Sequence, residues 1–222
     1  MKKTAIILGA TGLTGSILLE KLIADSRYEH IKLFSRSKIE NLPNKVSQFI
    51  GDLLEFEQFK SDFRANEVYC CIGTTSKKTP DKTLYKKIDY GIPVAAAKLA
   101  QDNNIETFSV VSALGANPNS KVFYNKTKGE MERDVQKQNI KNTFIFRPSL
   151  IGGDRDEQRT LENIGLAIFK VIQPLFIGKL KQYKITEPED IAQAMIDLSN
   201  TTNYNEVIVT SNDIKSIAKN HK

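Results

Sequence analysis

The sequence contains no tryptophan, only two histidines and only two cysteines. With His30 and His221 as its only histidines, the chain offers little material for a histidine-based hydrolase or a histidine-rich metal site. Cys70 and Cys71 are adjacent in an apolar run, which suits neither a disulfide framework nor metal-ligand spacing and is typical of thiols packed as small hydrophobic side chains. Because no signal peptide is recognisable, this pattern predicts a reducing, cytoplasmic location.

Long hydrophobic runs and clustered arginines are also missing. The apolar stretch at residues 164–178 is short and is interrupted by Lys170, Gln173 and Pro174, so no membrane span is predicted. The net charge of +6 comes mostly from lysines scattered over predicted helix faces, without arginine clusters or interleaved aromatic residues. We therefore expect no nucleic-acid partner.

Short apolar segments alternate with amphipathic ones along the whole chain. The short segments are rich in β-branched and aromatic residues, as buried strands are, and they lie at 4–9, 31–35, 46–50, 68–73, 108–112 and 143–147. Segments with a helical period lie between most of them. This alternation predicts one domain over residues 1–222 with an α/β fold, a doubly wound parallel sheet (Rossmann fold) that binds ligands beyond the carboxyl ends of its strands.

The first predicted strand continues directly into the glycine-rich stretch GATGLTG and then into a helix. Glycines at such a turn let a pyrophosphate approach the backbone, where free N–H groups and the helix dipole favour an anion. A glycine-rich turn alone is a weak signal, but its position between a strand and an amphipathic helix is the context that supports dinucleotide binding. The residues predicted to contact the cofactor here are Gly9, Thr11, Gly12, Leu13, Thr14 and Gly15.

The end of the second predicted strand, FSRSK, bears on the choice of cofactor. An acidic residue at this place binds the ribose 2′-hydroxyl of NAD, whereas an arginine accommodates the 2′-phosphate of NADP. Ser35, Arg36 and Lys38 supply donors and positive charge, and no acid stands among them. This favours NADP (NADPH) over NAD, with Arg36 as a solvated loop residue the alternative.

Several further motifs together resemble a known family. The chain is similar to the atypical short-chain dehydrogenase/reductases of the NAD(P)-binding Rossmann superfamily, and most similar to the oxidoreductase-like HIV Tat-interacting protein group and its bacterial relatives. The likeness runs from Lys3 to about residue 200. It is carried by GATGLTG at 9–15, GDL at 51–53, CCIGTT at 70–75, a strand ending in Ser112, Tyr124 with Lys128, and FRPSLIGGDR at 146–155.

The resemblance implies roles for three pairs of residues that spacing alone does not assign. They are Asp52 and Leu53 against the adenine, Gly73 and Thr74 under the cofactor ribose, and Pro148 and Ser149 beside the nicotinamide. Two features depart from the pattern. Asp89 stands roughly where many superfamily members have an asparagine of a proton relay, and the chain after Arg147 is much shorter than the substrate domain of the sugar-nucleotide epimerases.

Two tyrosines precede a lysine by four residues, so the spacing alone does not identify a catalytic pair. Tyr28 and Lys32 fall at the predicted end of a helix and start of a strand, where this spacing does not bring side chains together. Tyr124 and Lys128 fall within a predicted helix, where residues four apart are neighbours, and Ser112 ends a strand at the ligand edge. An ammonium close to a phenol stabilises the phenolate, which makes the phenol a better acid-base group at neutral pH.

These features predict an NADPH-dependent oxidoreductase, a short-chain dehydrogenase/reductase, that reduces a small-molecule carbonyl substrate through catalytic Ser112, Tyr124 and Lys128. The alternative is a non-catalytic regulator that binds the dinucleotide and contacts other proteins, since the fold alone does not decide between them. The protein is expected to be a monomer or homodimer.

Residues 151–185 are expected to cover the substrate. Within this segment, Asp154 to Gly178 carries a contiguous apolar face that would close over a partly hydrophobic substrate. Arg155 and Arg159 are candidates for an anion-binding edge, with solvated surface as the alternative.

Overall fold

A seven-stranded parallel sheet forms the centre of the described structure, a computed structural model that describes residues 2–152, 184–201 and 204–220. The strand order is β3-β2-β1-β4-β5-β6-β7, so the chain starts in the middle of the sheet, winds to one edge and then returns to build the other. The strands are β1 (Lys3–Leu8), β2 (Tyr28–Ser35), β3 (Val46–Ile50), β4 (Glu67–Cys70), β5 (Thr107–Val111), β6 (Asn142–Arg147) and β7 (Ile208–Thr210).

Helices cover both faces of this sheet. They are α1 (Leu13–Ala24), a 3-10 turn (Phe56–Phe59), α2 (Lys82–Lys86), a π-helical segment (Lys87–Gly91), α3 (Ile92–Asp102), α4 (Phe123–Gln136), α5 (Pro188–Ser199) and α6 (Ser211–Lys219). Helices α1, α5 and α6 share one hydrophobic core with the sheet, while the 3-10 turn, α3 and α4 share the other. The predicted doubly wound parallel sheet is therefore confirmed.

The central strand shows why the strands read as continuous apolar runs. Ala5 and Ile7 of β1 belong to one core and Ile6 and Leu8 to the other, and all four are fully buried. Alternate side chains of a strand point to opposite faces, so a strand covered on both sides needs apolar residues at every position.

Several strands are shifted by one residue from their predicted bounds, among them β5, which ends at Val111 rather than Ser112, and three differences are larger. Strand β2 begins at Tyr28 rather than Ile31, because Tyr28 is buried and anchored by a side-chain hydrogen bond to Glu67. Strand β4 ends at Cys70 rather than at residue 73, and the residues that follow it line a cleft. The short β7 was not predicted, since only three residues pair with β6.

Because all the strands are parallel, their carboxyl ends lie along one edge of the sheet. Each group of predicted cofactor contacts follows such an end. The glycine loop follows β1, Arg36 follows β2, Asp52 follows β3, Gly73 follows β4 and Pro148 follows β6.

Candidate active site

The glycine loop is wound so tightly that a Cβ does not fit at two of its glycines. Gly9 has a φ of +84°, and a Cβ there would lie 2.9 Å from the carbonyl carbon of Cys71. A Cβ at Gly15 would lie 2.1 Å from the carbonyl oxygen of Gly9. The turn from β1 into α1 therefore requires glycine at both positions.

Helix α1 begins at this loop, and no side chain caps the backbone N–H groups of its first turn. Its N-cap is Gly12, which has no side chain to accept the hydrogen bonds that a serine or aspartate would accept. Free N–H groups at a helix N-terminus, next to a backbone that a ligand can approach closely, match the requirements of a pyrophosphate. The loop thus fits the dinucleotide predicted from the sequence.

A cleft of about 600 Å³ opens beside this loop and brings together most of the predicted site. It joins the glycine loop to the segment after β4, the end of β5 and the first turns of α4. The predicted residues that line it are Thr11, Gly12, Leu13, Thr14, Gly73, Thr74, Ser112, Tyr124 and Lys128.

Helix α4 presents the reactive groups on one face. Tyr124, Lys128 and Glu132 are spaced four residues apart, and Met131 and Val135 anchor the helix in the core. Tyr124 is 40% exposed, whereas Lys128 and Glu132 are buried. A phenol open to the cleft therefore stands one turn from a buried ammonium.

Lys128 is held by a carboxylate that the sequence pattern did not assign. Its Nζ lies 3.1 Å from Oδ1 of Asp89, and it also donates to the carbonyl oxygen of Val111 over 3.4 Å. Burial alone would lower the pKa of Lys128, but the charge of Asp89, with Tyr124 and a hydrogen bond to Asp89 also contributing, raises the pKa above its ordinary value. Lys128 is therefore a charged ammonium at neutral pH.

Ser112 belongs to a second buried polar group. Its hydroxyl donates to Oε1 of Glu132 over 2.5 Å, and Arg147 binds the same carboxylate through two donors at 2.9 and 2.5 Å. The hydrogen bond to Glu132 raises the pKa of Arg147, and burial opposes it. While this contact is held, the hydroxyl hydrogen of Ser112 is directed to Glu132.

The residues predicted to bind the adenosine half of the cofactor are not among those that line the cleft. Arg36 is exposed, and Ser35 donates its hydroxyl to the carbonyl oxygen of Ser37 over 2.8 Å. Asp52 is exposed, and its carboxylate accepts from the backbone of Leu54, while Leu53 packs in the core. These residues sit at the carboxyl ends of β2 and β3, which are paired at Ser35 and Ile50.

Pro148 and Ser149 are not among the residues that line the cleft. Pro148 is buried, and its carbonyl oxygen accepts from the backbone of Leu114 over 3.0 Å. The hydroxyl of Ser149 donates to the carbonyl oxygen of Lys184 and lies 3.0 Å from the hydroxyl of Thr186. Their predicted place beside the nicotinamide stays a prediction.

Three residues in or next to the cleft were not predicted from the sequence as site residues. Asp89 was noted only as a departure from the family pattern, and Glu132 and Tyr85 were not singled out. The spacing Tyr124, Lys128, Glu132 was a usable signal for Glu132 once the helix was predicted. Tyr85 lines the cleft, donates to the carbonyl oxygen of Thr74 over 3.4 Å, and has its pKa raised by burial.

The second tyrosine-lysine pair is structural. Tyr28 lies in strand β2 rather than at the end of a helix, and its hydroxyl is bonded to Glu67 at the amino-terminal edge of the sheet. Lys32 donates instead to the carbonyl oxygen of Asp62 over 2.9 Å. Four residues along a strand separate two side chains by about 13 Å, so this spacing does not make a pair.

Several sequence expectations concern other features. Cys70 is buried and free, and burial raises the pKa of its thiol to about 11. Within residues 2–152, 184–201 and 204–220, no helix has the length and apolar character needed to cross a bilayer, and no cluster of three or more potential ligands could bind a metal. Most of the proposed substrate cover at 151–185, including Arg155 and Arg159, lies outside the described residues.

Comparisons with known proteins agree with this arrangement. Residues 9–202 match the model of a family described as NAD(P)H-binding. Protein FMP52, mitochondrial, of Meyerozyma guilliermondii is 31% identical over 98% of this chain and 96% of its own length. Protein HTATIP2 of Rattus norvegicus is 29% identical over 75% of this chain and 70% of its own length.

A solved structure shows the same fold at low sequence identity. UDP-glucuronic acid 4-epimerase from Bacillus cereus, in complex with NAD, superposes with a TM-score of 0.68 at 15% identity, over 98% of this chain and 83% of its own. The likeness supports the Rossmann architecture and nothing finer.

The names of the relatives contradict one expectation. FMP52 proteins from several organisms, among them Debaryomyces hansenii and Candida albicans, are named as mitochondrial. The cytoplasmic location predicted from the cysteine usage is therefore wrong, because reduced, buried thiols are compatible with more than one compartment.

The glycine loop, the cleft and the relatives support one assignment. The chain belongs to the NAD(P)H-binding family and, within it, to the atypical short-chain dehydrogenase/reductase group that contains the FMP52 and HTATIP2 proteins.

Proposed function

We propose that the protein is an NADPH-dependent oxidoreductase that reduces a small carbonyl compound through Ser112, Tyr124 and Lys128. One observation carries the proposal: these three residues line the same cleft as the uncapped N-terminus of α1. A phenol, an ammonium and a dinucleotide-binding loop in one cleft are the parts that carbonyl reduction needs.

The roles follow from exposure and charge. A bound reduced nicotinamide would supply a hydride to the carbonyl carbon. Tyr124, which is open to the cleft, gives the proton to the carbonyl oxygen. Lys128 is charged and one helical turn away, so it stabilises the phenolate that remains. Ser112 would orient the substrate next to Tyr124 once its hydroxyl turns from Glu132 to the carbonyl oxygen.

The preference for NADPH rests on the residues after β2. Arg36 is exposed at the carboxyl end of the strand, and residues 35–38 include no acid that would repel a phosphate. Lys38 lies 3.2 Å from Glu40, which offsets its charge. Arg36 is therefore the group that we assign to the 2′-phosphate.

The test begins with titrations of NADPH and NADH and continues with NADPH oxidation across a panel of carbonyl compounds. Tyr124→Phe should bind NADPH as the parent does while turnover falls by about two to four orders of magnitude. Lys128→Ala should impair binding and turnover. The double variant should be little worse than the poorer single one, because groups on one proton path are not additive.

A matched control is Tyr204→Phe. This ring packs against Phe144, and it lines a different cavity at the amino ends of the strands. Its loss should leave turnover unchanged. Activity that survives in Tyr124→Phe would remove this tyrosine from the mechanism. A parent protein that binds NADPH but reduces no compound in the panel would favour the non-catalytic regulator.

A further inference from the structure

The ion pair between Asp89 and Lys128 is the most deeply buried one in the described part of the cleft. The side chains are 1% and 5% exposed, and Nζ lies 3.1 Å from Oδ1. The other carboxylate oxygen, Oδ2, accepts the backbone N–H of Thr74 over 2.8 Å. Asp89 thus connects Lys128 of α4 to the loop that is expected to pass under the cofactor ribose.

The backbone around Asp89 is unusual. The π-helical segment Lys87–Gly91 interrupts the continuous helical stretch from α2 to α3, and Asp89 stands at its centre. The widened turn is closed by the N–H of Ile92, which donates to the carbonyl oxygen of Lys87. Single π-helical turns within helices are found frequently at functional sites, because they redirect a side chain at some cost in helix geometry.

The charges around Lys128 can be counted element by element. It is faced by Asp89 from the π-helical segment, by Tyr124 from its own helix, and by the thiol of Cys70 from β4. Asp89 is faced in turn by Lys128, by Tyr85 of α2 and by Cys70. Lys78 lines the same cleft. The buried ammonium of Lys128 therefore contacts the carboxylate of Asp89 and lies within electrostatic range of the phenol of Tyr124.

A carboxylate in this place has two opposite effects. It fixes the ammonium in the cleft, which favours cofactor binding and catalysis. Its negative charge also offsets the positive charge that would stabilise the phenolate of Tyr124. An asparagine can accept the hydrogen bond from Thr74 through its one carbonyl oxygen, and the uncharged amide group that then faces Lys128 does not offset the charge of the ammonium.

We propose that Asp89 is a positioning residue that holds Lys128 in the cleft and withholds part of its positive charge from Tyr124. The inference rests on the proposed reductase function, because it concerns the same phenol. It goes further because it makes the charge of Asp89 one of the factors that set the pH range in which the enzyme works.

The main test is Asp89→Asn, read by two measurements. The pH profile of turnover should move toward acid by about one unit, the effect of removing one nearby negative charge. The second measurement is the pH titration of tyrosine absorbance in the ultraviolet. The contribution of Tyr124 is obtained by subtracting the titration of the same protein carrying Tyr124→Phe, and its midpoint should also move toward acid. Asp89→Ala, which also loses the acceptor for the Thr74 N–H, should raise the KM for NADPH and lower turnover at every pH.

Asp134→Asn is the control. Asp134 lies on the same helix, pairs with Arg133 and Lys137 and accepts a hydrogen bond from Tyr90, so the variant makes the same chemical change without removing a contact of Lys128. It should move neither the turnover profile nor the phenol titration.

The two proposals fail in different ways. If the parent reduces nothing but the phenol titration moves in Asp89→Asn, the assignment of Asp89 stands and the reductase function falls. If the parent is a reductase and neither reading moves, Asp89 has only a structural role. If Asp89→Asn alone does not fold, the titration of Tyr124 is compared between Lys128→Gln and the double variant Lys128→Gln/Asp89→Asn, in which both members of the ion pair are neutral. The double variant must titrate Tyr124 at lower pH, and equal titrations would overturn the proposal.

Discussion

The hydroxyl of Ser112 donates to the carboxylate of Glu132 over 2.5 Å, and both side chains are buried. Arg147 binds the same carboxylate twice, so both oxygens of Glu132 act as acceptors. Ser112 can then accept a hydrogen bond from the cleft, but it cannot donate to a substrate carbonyl until it leaves Glu132. The hydrogen bonds of Glu132 connect α4 to the residue after β5 and to the last residue of β6.

Removal of this hydroxyl should be costly for stability. Ser112→Ala is expected to lower the free energy of unfolding by about 1–3 kcal/mol, because Glu132 loses a buried partner. Urea denaturation measures the change. Ser109→Ala is the matched control, since Ser109 is a fully buried serine of β5, the strand that Ser112 follows, and its hydroxyl has no hydrogen-bond partner among the described residues. Its loss should change stability by less than about 0.5 kcal/mol or increase it. Equal losses in the two variants would show that the bond to Glu132 contributes nothing.

Arg36→Asp should reverse or abolish the preference for NADPH. If Arg36 pairs with the 2′-phosphate, the parent should bind NADPH more tightly than NADH by about 1.5–3 kcal/mol, the contribution of a charge-assisted hydrogen bond. Dissociation constants from fluorescence titration give this difference directly. Arg64→Asp is the control. Arg64 lies just before β4, at the amino ends of the strands, so the same charge reversal there should leave the preference unchanged. Equal constants for the two cofactors in the parent would refute the role of Arg36.

Two glycine-to-alanine variants separate loop geometry from helix propensity. Gly15→Ala places a Cβ 2.1 Å from the carbonyl oxygen of Gly9, so the loop must open, and dinucleotide binding should fall by at least tenfold together with stability. Gly91→Ala meets no atom within 4 Å and lies in helical backbone, so it should be neutral or stabilising by up to about 1 kcal/mol. Calorimetry and thermal melting test both expectations. A Gly15→Ala protein with parental affinity would mean that the loop does not bind the dinucleotide.

Tyr28→Phe should affect stability and not turnover. The hydroxyl of Tyr28 donates to Glu67 over 2.8 Å and accepts from Asn200 over 2.8 Å, in a buried network at the amino-terminal edge of the sheet. Its removal should lower the free energy of unfolding by about 1–3 kcal/mol. Turnover measured well below the melting temperature should match that of the parent. A loss of turnover without loss of stability would place this edge of the sheet in the mechanism.

The sequence alone was enough to predict the fold and the carboxyl ends of the strands, where the candidate site residues lie. Alternating apolar and amphipathic segments are local patterns, and the glycine loop between β1 and α1 is a contiguous stretch whose geometry follows from its own residues. The helical spacing of Tyr124 and Lys128 is local as well. Such signals need only the near neighbours along the chain, because strand and helix periods fix which side chains share a face.

Only the tertiary structure decided which partners these residues have. Asp89 reaches Lys128 because the π-helical segment and α4 pack side by side, and Ser112 meets Arg147 through Glu132 because β5 and β6 are paired beneath α4. Tyr28 is a strand residue because it pairs with Lys3 of β1, and its hydroxyl is bound by Glu67, which is distant in the chain. Hydrogen bonds and ion pairs depend on distances of about 3 Å between groups on different elements, and no pattern along one segment specifies those distances.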